Sequence, residues 1–285
     1  MKLLIILIKE VVRFIFLLFI ASLIMFNIIH FSPGSHELYS HKSWIMDYSI
    51  WIKDIIRLDF GKTLTGEPVL KEILLKGKNS AFLIALALLT SIIFTLFLLI
   101  ITSKIKYRAC GELFWSTGYA ISVIPMFILG YFFLHISRHK LISSHVSLDD
   151  PSWVYYLIPG LILGISDGAL SECMRHAQVE IETIKNENYI RMAIAKGARL
   201  WHHIKNDLII HMSKVLSIHL VLLISGTVFI EYIFCLPGIG SLAFNAAENR
   251  DVRLLLGILI LTIFVITLVN LINRLVMLIL DPRLR

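Results

Sequence analysis

The sequence predicts an all-α membrane protein with six transmembrane helices. Hydrophobic residues make up 57% of the 285 residues and charged residues only 16%, whereas about a quarter of the residues in a soluble domain are charged. Six apolar stretches are each long enough to provide the roughly 20 residues that an α-helix needs to cross the hydrocarbon core of a bilayer. No stretch between them is long enough to bury a core of its own, so we expect a single transmembrane domain over residues 1–285.

The six predicted spans are separated by polar segments of unequal length. The first span follows basic residues, as the apolar part of a signal peptide does, but it is longer than that part and no small-residue cleavage pattern follows it. We therefore expect it to be retained. The segment between the fourth and fifth spans is charged and too long to be a turn. The spans cover about residues 11–31, 81–103, 113–135, 153–173, 213–234 and 254–280.

The distribution of Lys and Arg predicts the orientation in the membrane. With the N-terminus inside, 16 of the 27 basic residues lie on the cytoplasmic side and 11 outside. Seven of those 11 are in the long segment 32–80, where the bias towards the cytoplasm is weaker. Both termini are therefore predicted to be cytoplasmic, and the net charge of +7 gives no reason to expect nucleic acid. The predicted cytoplasmic loops are 104–112 and 174–212, and the outer ones are 32–80, 136–152 and 235–253.

A short helix is predicted in the charged segment between the fourth and fifth spans. Asn186 is a typical N-cap residue, and Glu187 beside it suits the positive end of a helix dipole. No helix breaker follows until Gly197, which can end a helix in the left-handed conformation. The small side chains of Ala193 and Ala195 would let another surface come close. The residues alone also allow a plain solvated connecting helix.

The segment 186–197 (NENYIRMAIAKG) resembles the cytoplasmic EAA loop of ABC importer permeases, in the form N-E-D-Y-V-R-x-A-x-A-K-G of the dipeptide, oligopeptide and nickel family. The segment 231–240 (EYIFCLPGIG) is similar to the family pattern E-x-x-F-x-x-P-G-x-G, and 280–285 (LDPRLR) to its ending L-D-P-R-x-R. These matches occur in the family's order. Weaker similarities are Asp59-Phe60-Gly61, Ser122-Val123-Ile124-Pro125 and Asn249-Arg250-Asp251.

The resemblance implies a type I ABC importer permease in a bacterial inner membrane, among lipid. Its expected partners are a second homologous permease, two ABC ATPase subunits and an extracytoplasmic substrate-binding protein. Because the sequence has no G-x-x-x-x-G-K-[ST] motif, ATP hydrolysis is expected in the separate subunits, and no catalytic residue or cofactor is expected here. Peptides are the leading expected substrate, with nickel or a metal chelate as the alternative. The residues implied for coupling to the ATPases are Glu187, Tyr189, Arg191, Ala193, Ala195, Lys196 and Gly197.

A conspicuous turn motif follows the fifth span. Pro237 lacks a backbone donor and the glycines at 238 and 240 permit tight turning. On the residues alone this is equally a plain helix end, whereas the family pattern favours a re-entrant turn near the outer mouth of the pathway. The residues of this motif that are expected to line the pathway are Glu231, Pro237, Gly238 and Gly240.

Ionisable residues at membrane depth are the remaining functional candidates. Asp167 lies in the predicted fourth span, where a carboxylate costs about 2.5–3.5 kcal/mol on insertion scales. It is expected either to line the pathway and meet a cationic substrate, or to pair with a basic residue such as Arg175 or one of the second permease. His135 and His139 have the i, i+4 spacing of metal ligands, but polar residues at a membrane boundary explain them equally well.

Overall fold

The computed structural model describes residues 2–31, 43–104, 108–137, 154–197 and 219–280. These residues form α-helices joined by short turns, with one isolated bridge between Lys62 and Pro68 and no β-strand within the described ranges. The helices are α1 Lys2–His30, α2 Trp44–Ile56, α3 Val69–Lys104, α4 Arg108–Ser122, α5 Met126–Ser137, α6 Val154–Ile165, α7 Ala169–Asn186, α8 Asn188–Ala195, α9 His219–Ile233, α10 Ile239–Glu248 and α11 Val252–Leu280.

Three of these helices, α1, α3 and α11, are each long and apolar enough to cross a membrane alone. They contain the first, second and sixth predicted spans, although α3 already begins at Val69. Helix α9 is apolar but shorter in its described part, and it ends at Ile233, beside the predicted end of the fifth span. Counting each bent pair of helices once gives up to five spans by length and composition. The total of six spans stays a prediction.

The third and fourth predicted spans are not continuous helices. Helices α4 and α5 meet at an angle of 82°, because Pro125 has no N–H to donate and disfavours a helical residue before it. Helices α6 and α7 are likewise joined at a break, where the helix axis bends by 54°. There Asp167 and Gly168 have φ of +50° and +78°, and this left-handed conformation cannot continue a right-handed helix. The second of these helices continues to Asn186, well beyond the predicted end of the span.

The chain divides into two compact units, of which the first comprises residues 1–81 and 237–275. In this unit Phe26 of α1, Trp51 of α2 and Leu256 of α11 form one buried cluster. A second cluster joins α3, α10 and α11. A Cβ at Gly257 would lie 2.6 Å from a methyl of Val69, so the glycine permits the close contact between α11 and α3.

The second unit comprises residues 82–236 and 276–284. Its core joins α3, α5, α6 and α9 around Leu83, Met126, Leu163 and Leu223. Helix α6 packs closely on α3: a Cβ at Gly164 would overlap the Thr90 side chain and lie 2.5 Å from the Ala87 carbonyl oxygen, and one at Gly160 would overlap Leu86. This is the small-residue packing by which membrane helices approach each other.

Candidate functional site

The breaks in the two bent helix pairs are hydrogen-bonded to each other. The Gly168 amide donates to the Ser122 carbonyl at 2.8 Å, and the Ser171 amide donates to the Ser122 hydroxyl at 2.9 Å. The Asp167 amide donates to the Ile124 carbonyl at 3.4 Å. These bonds satisfy backbone groups that helix ends leave without an intrahelical partner. We call the two joined breaks, residues 122–126 and 166–171, the clasp.

The side chain of Asp167 completes the clasp by capping α5. Its Oδ1 accepts a hydrogen bond from the amide of Met126, the first residue of that helix, at 2.9 Å. A carboxylate is favourable there because the first amides of a helix lack partners and its dipole is positive at this end. The sequence predicts Asp167 within a helix, whereas the structure places it in the break, with a positive φ that Asp tolerates better than most residues. Arg175, its suggested partner, instead pairs with Glu172 at 2.5 Å.

A cavity of about 300 Å³ lies beside the clasp, within the second unit. Asp167 is exposed, so its charge is accessible to a polar group that enters the cavity. The walls are mixed, with hydroxyl groups among aliphatic side chains. They include Met126, Leu163, Ser166, Asp167, Leu222 and Ser225.

A short helix, α8, occurs in the charged segment where the sequence predicts one. Its beginning differs from the prediction: Asn186 ends α7 instead of capping α8, and Glu187 alone separates the two helices. After α8, Gly197 has a φ of +72°, in the left-handed region. A Cβ at Gly197 would meet no atom of the described residues within 4 Å, and the left-handed backbone is the feature that favours glycine there.

Helix α8 has one buried and one exposed side. Ile190 is fully buried, and α8 packs against α7. Asn188, Met192, Ala195 and Lys196 are exposed and share the opposite side, because residues three and four apart are neighbours on a helix surface. Three further residues implied for coupling lie on the same helix: Tyr189, Arg191 and Ala193.

The Pro237–Gly240 segment forms a turn that α3 holds in place in the first unit. The Asn79 side-chain amide donates to the Pro237 carbonyl at 2.6 Å, and the Ile239 amide donates to the Ser80 hydroxyl at 2.7 Å. Helix α10 begins directly after the turn. The turn is therefore fixed by specific hydrogen bonds.

Several of the residues expected to line the pathway are enclosed by protein. Glu231 is 1% exposed. Gly238 and Gly240 are buried, and Pro237 is partly buried. The location of these residues beside a pathway stays a prediction.

Only one of the two histidines considered as metal ligands lies within the described residues. His135 is exposed in the last turn of α5, whereas His139 lies outside the described residues. In the described part of the chain, no group of three or more His, Cys, Asp or Glu side chains is placed to hold a metal ion. The 281–285 part of the C-terminal motif also lies outside the described residues.

Asp251 has a structural role that the sequence analysis did not assign. Its side chain, 7% exposed, accepts hydrogen bonds from the amides of Leu254 at 3.1 Å and Leu64 at 2.8 Å. It therefore caps α11 and fixes the turn at 62–68 to that helix. An Asp directly before an apolar helix is a common N-cap signal, but the partner 187 residues away leaves no trace in the sequence.

Known proteins resemble this chain over most of its length. The peptide ABC transporter permease protein y4tP (described as probable) of Sinorhizobium fredii is 29% identical over 82% of this chain and 78% of its own length. The glutathione transport system permease protein GsiC of Shigella flexneri is 24% identical over 98% of both chains. The nickel import system permease protein NikB of Staphylococcus aureus is 22% identical over 97% of this chain and 90% of its own.

One protein family matches the part of the chain that begins within α4. The description of that family is "Binding-protein-dependent transport system inner membrane component", and it matches residues 112–285. The matched part contains the clasp, α8 and the turn at 237–240. The chain therefore belongs to the inner membrane components of binding-protein-dependent transport systems, and it is a permease component of an ABC importer.

Proposed function

We propose that this permease forms half of a translocation pathway for short peptides, together with a second homologous permease subunit. Two of the relatives described above are named for peptide and glutathione transport, and glutathione is itself a small peptide. The nickel permease aligns over a comparable share of the chain, so import of nickel or a metal chelate is the alternative.

The exposed carboxylate of Asp167 is the observation that carries this proposal. It lines a cavity in the second unit, next to the break between two helices. The α-amino group of a peptide has a pKa of about 7.7–8.0 and is largely charged at neutral pH, so the carboxylate attracts it. Residues 231 and 237–240 would shape the outer part of the pathway.

The exposed side of α8 is the surface through which an ATPase subunit would drive transport. Each permease would bind one of two separate ABC ATPase subunits, with α8 seated in a groove of the ATPase as an amphipathic helix in a groove. The buried Ile190 keeps α8 on α7, so that a displacement of α8 moves α7 with it. This arrangement requires segment 174–212 and both termini to be cytoplasmic, while an extracytoplasmic binding protein delivers the substrate from the other side.

The coupling role is tested by placing charge and bulk on the exposed side of α8. Ala195→Arg should abolish peptide uptake and the stimulation of ATP hydrolysis by the loaded binding protein, whereas the matched control Ala195→Ser should preserve both. The assembled complex is purified into lipid nanodiscs, and the amount of bound ATPase subunit is measured beside activity. Wild-type uptake by the Ala195→Arg complex would refute the docking of α8.

The orientation is tested separately at Met192, which is 60% exposed. A single cysteine there, after replacement of Cys110, Cys173 and Cys235, should react with a membrane-impermeant maleimide only when the cytoplasmic side is opened. Strong labelling in intact cells would overturn the orientation.

The substrate is identified by transport into proteoliposomes that contain the assembled complex, with its binding protein outside. We expect ATP-dependent uptake of radiolabelled di- to oligopeptides that unlabelled peptide competes away. Uptake of ⁶³Ni²⁺, free or chelated, without uptake of any peptide would establish the alternative.

A further inference from the structure

Helix α2 contacts α1 within the apolar span of that helix, inside the first unit. Tyr48 of α2 shares a hydrogen bond with the Ser22 hydroxyl at 2.9 Å, and its ring lies 6.5 Å from that of Phe19. The apolar span of α1 covers Ile8–Ile28. At the helical rise of 1.5 Å per residue, Ser22 and Phe19 are therefore roughly 9 and 13 Å inside the end of this span.

Helix α2 also contacts the beginning of a second span. Trp51 is buried against Phe26 and Leu256, and Leu256 lies in the second turn of the span Val252–Val276. The last turns of α1 and the first turns of α11 thus bracket α2 at the same face of the membrane.

The side of α2 that faces away from this cluster is apolar. Ile45, Met46 and Ile50 are 70%, 57% and 41% exposed. Ser49 lies among them and donates its hydroxyl to the Met46 carbonyl at 2.8 Å, which satisfies the hydroxyl without water. An exposed side of this composition suits hydrocarbon better than water.

The C-terminal end of α2 carries the charges that suit a membrane surface. Lys53 and Arg57 are exposed there. Asp54 lines the same cavity, of about 280 Å³, as Arg253 at the start of α11, so this end of α2 is level with the end of a span. Long cationic side chains at such a position reach the phosphate layer of the bilayer.

We propose that α2 is embedded in a lipid leaflet, with Ile45, Met46 and Ile50 against acyl chains and its two cations at the phosphates. Lipid is the occupant because the exposed side of α2 continues the apolar surface of a span: Phe19, which contacts Tyr48, is itself 50% exposed on α1. The sequence instead predicts that the whole segment 32–80 is an outer loop between the first and second spans.

The proposal is tested with nitroxide labels on the assembled importer in lipid nanodiscs, after replacement of the native cysteines. Labels replace Met46 and Ile50 in turn, and Leu64, which is 72% exposed in the turn at 62–68, serves as the matched control. Collision rates are measured with oxygen, which concentrates in hydrocarbon, and with a water-soluble nickel chelate. If the complex labelled at Met46 or at Ile50 does not assemble, a label at Ile45 is used in its place.

We expect oxygen collisions to exceed chelate collisions several-fold at positions 46 and 50, and the reverse at position 64. Chelate access at 46 and 50 equal to that at 64 would show that α2 faces water and would overturn the proposal. Low access to both reagents would show that a protein partner covers α2, and would overturn it as well.

Discussion

Replacement of Asp167 separates its structural contribution from its charge. Three variants differ in one property each: Asp167→Asn keeps an oxygen acceptor and a side chain tolerant of positive φ, Asp167→Gly keeps only the conformational freedom, and Asp167→Ala keeps neither. The Met126 amide at 2.9 Å and the φ of +50° are the two features at stake.

The expected losses in the free energy of unfolding follow from those two features. A hydrogen bond to a charged group contributes about 1.5–3 kcal/mol, and the exposure of Asp167 places this one at the lower end. A side chain without local hydrogen bonding costs about 1–2 kcal/mol in the left-handed region. We therefore expect Asp167→Asn to lose less than about 1 kcal/mol, from the weaker interaction with the helix dipole. Asp167→Gly should lose about 1.5 kcal/mol, and Asp167→Ala about 3 kcal/mol, as the two costs combine.

The measurement is a denaturant titration of the purified permease in mixed micelles, paired with peptide uptake per assembled complex. The capping role would be refuted if the loss in the free energy of unfolding did not increase in the order Asn, Gly, Ala. Uptake provides an independent outcome, because Asp167→Asn retains the cap but removes the charge. We expect it to cut uptake several-fold at an unchanged amount of complex. Wild-type uptake by Asp167→Asn would refute the pathway role and leave the cap intact.

Three further predictions concern features outside the clasp: a helix cap, an ion pair and a left-handed glycine. Asp251→Ala should lower the free energy of unfolding by about 2–4 kcal/mol, because it removes a helix cap and the bond to Leu64, while Asp251→Asn should lose less in the same titration. Glu10→Gln should cost about 1 kcal/mol or less by breaking the 2.7 Å ion pair with Arg274, and the double variant with the two charges exchanged should recover part of it. Gly197→Val should reduce uptake several-fold by forcing a β-branched residue into the left-handed region, whereas Gly197→Asn should stay near wild type; equal uptake by both would contradict this reason.

The long helices are predictable from the sequence because hydropathy reports them directly. Helix α11 begins and ends within two residues of the predicted span 254–280. The breaks after α4 and α6 are harder to detect, because a window of about 20 residues averages across Pro125 and Gly168. Turn chemistry is local, and at these two positions it overrides apolar composition.

The clasp and α2 could not be predicted for a different reason. Asp167 meets Met126 across 41 residues of sequence, and nothing in either neighbourhood specifies the other. Helix α2 has a regular amphipathic pattern, but at 13 residues it is too short to count as a span. Its depth follows only from Tyr48 and Trp51, whose contacts with two spans are tertiary.

The packing of α7 explains how a displacement of α8 would reach the clasp. Helix α7 is 18 residues long, roughly 27 Å at the helical rise. It packs on α4: a Cβ at Gly118 would lie 2.7 Å from the Met174 methyl, and the Tyr119 hydroxyl donates to the Gln178 side-chain oxygen at 3.1 Å. Close-packed contacts of this kind transmit displacement instead of absorbing it, so α4 and α7 would move together.

Beyond α7 that route meets the two breaks of the clasp, which leave α5 and α6 as the parts able to change angle. The two breaks hydrogen-bond each other in both directions, since the Ser122 carbonyl accepts from the Gly168 amide while the Asp167 side chain accepts from the Met126 amide. One break therefore cannot straighten without depriving the other of its partners. A change of angle would involve both bent pairs at once, and the cavity beside Asp167 would open or close with them.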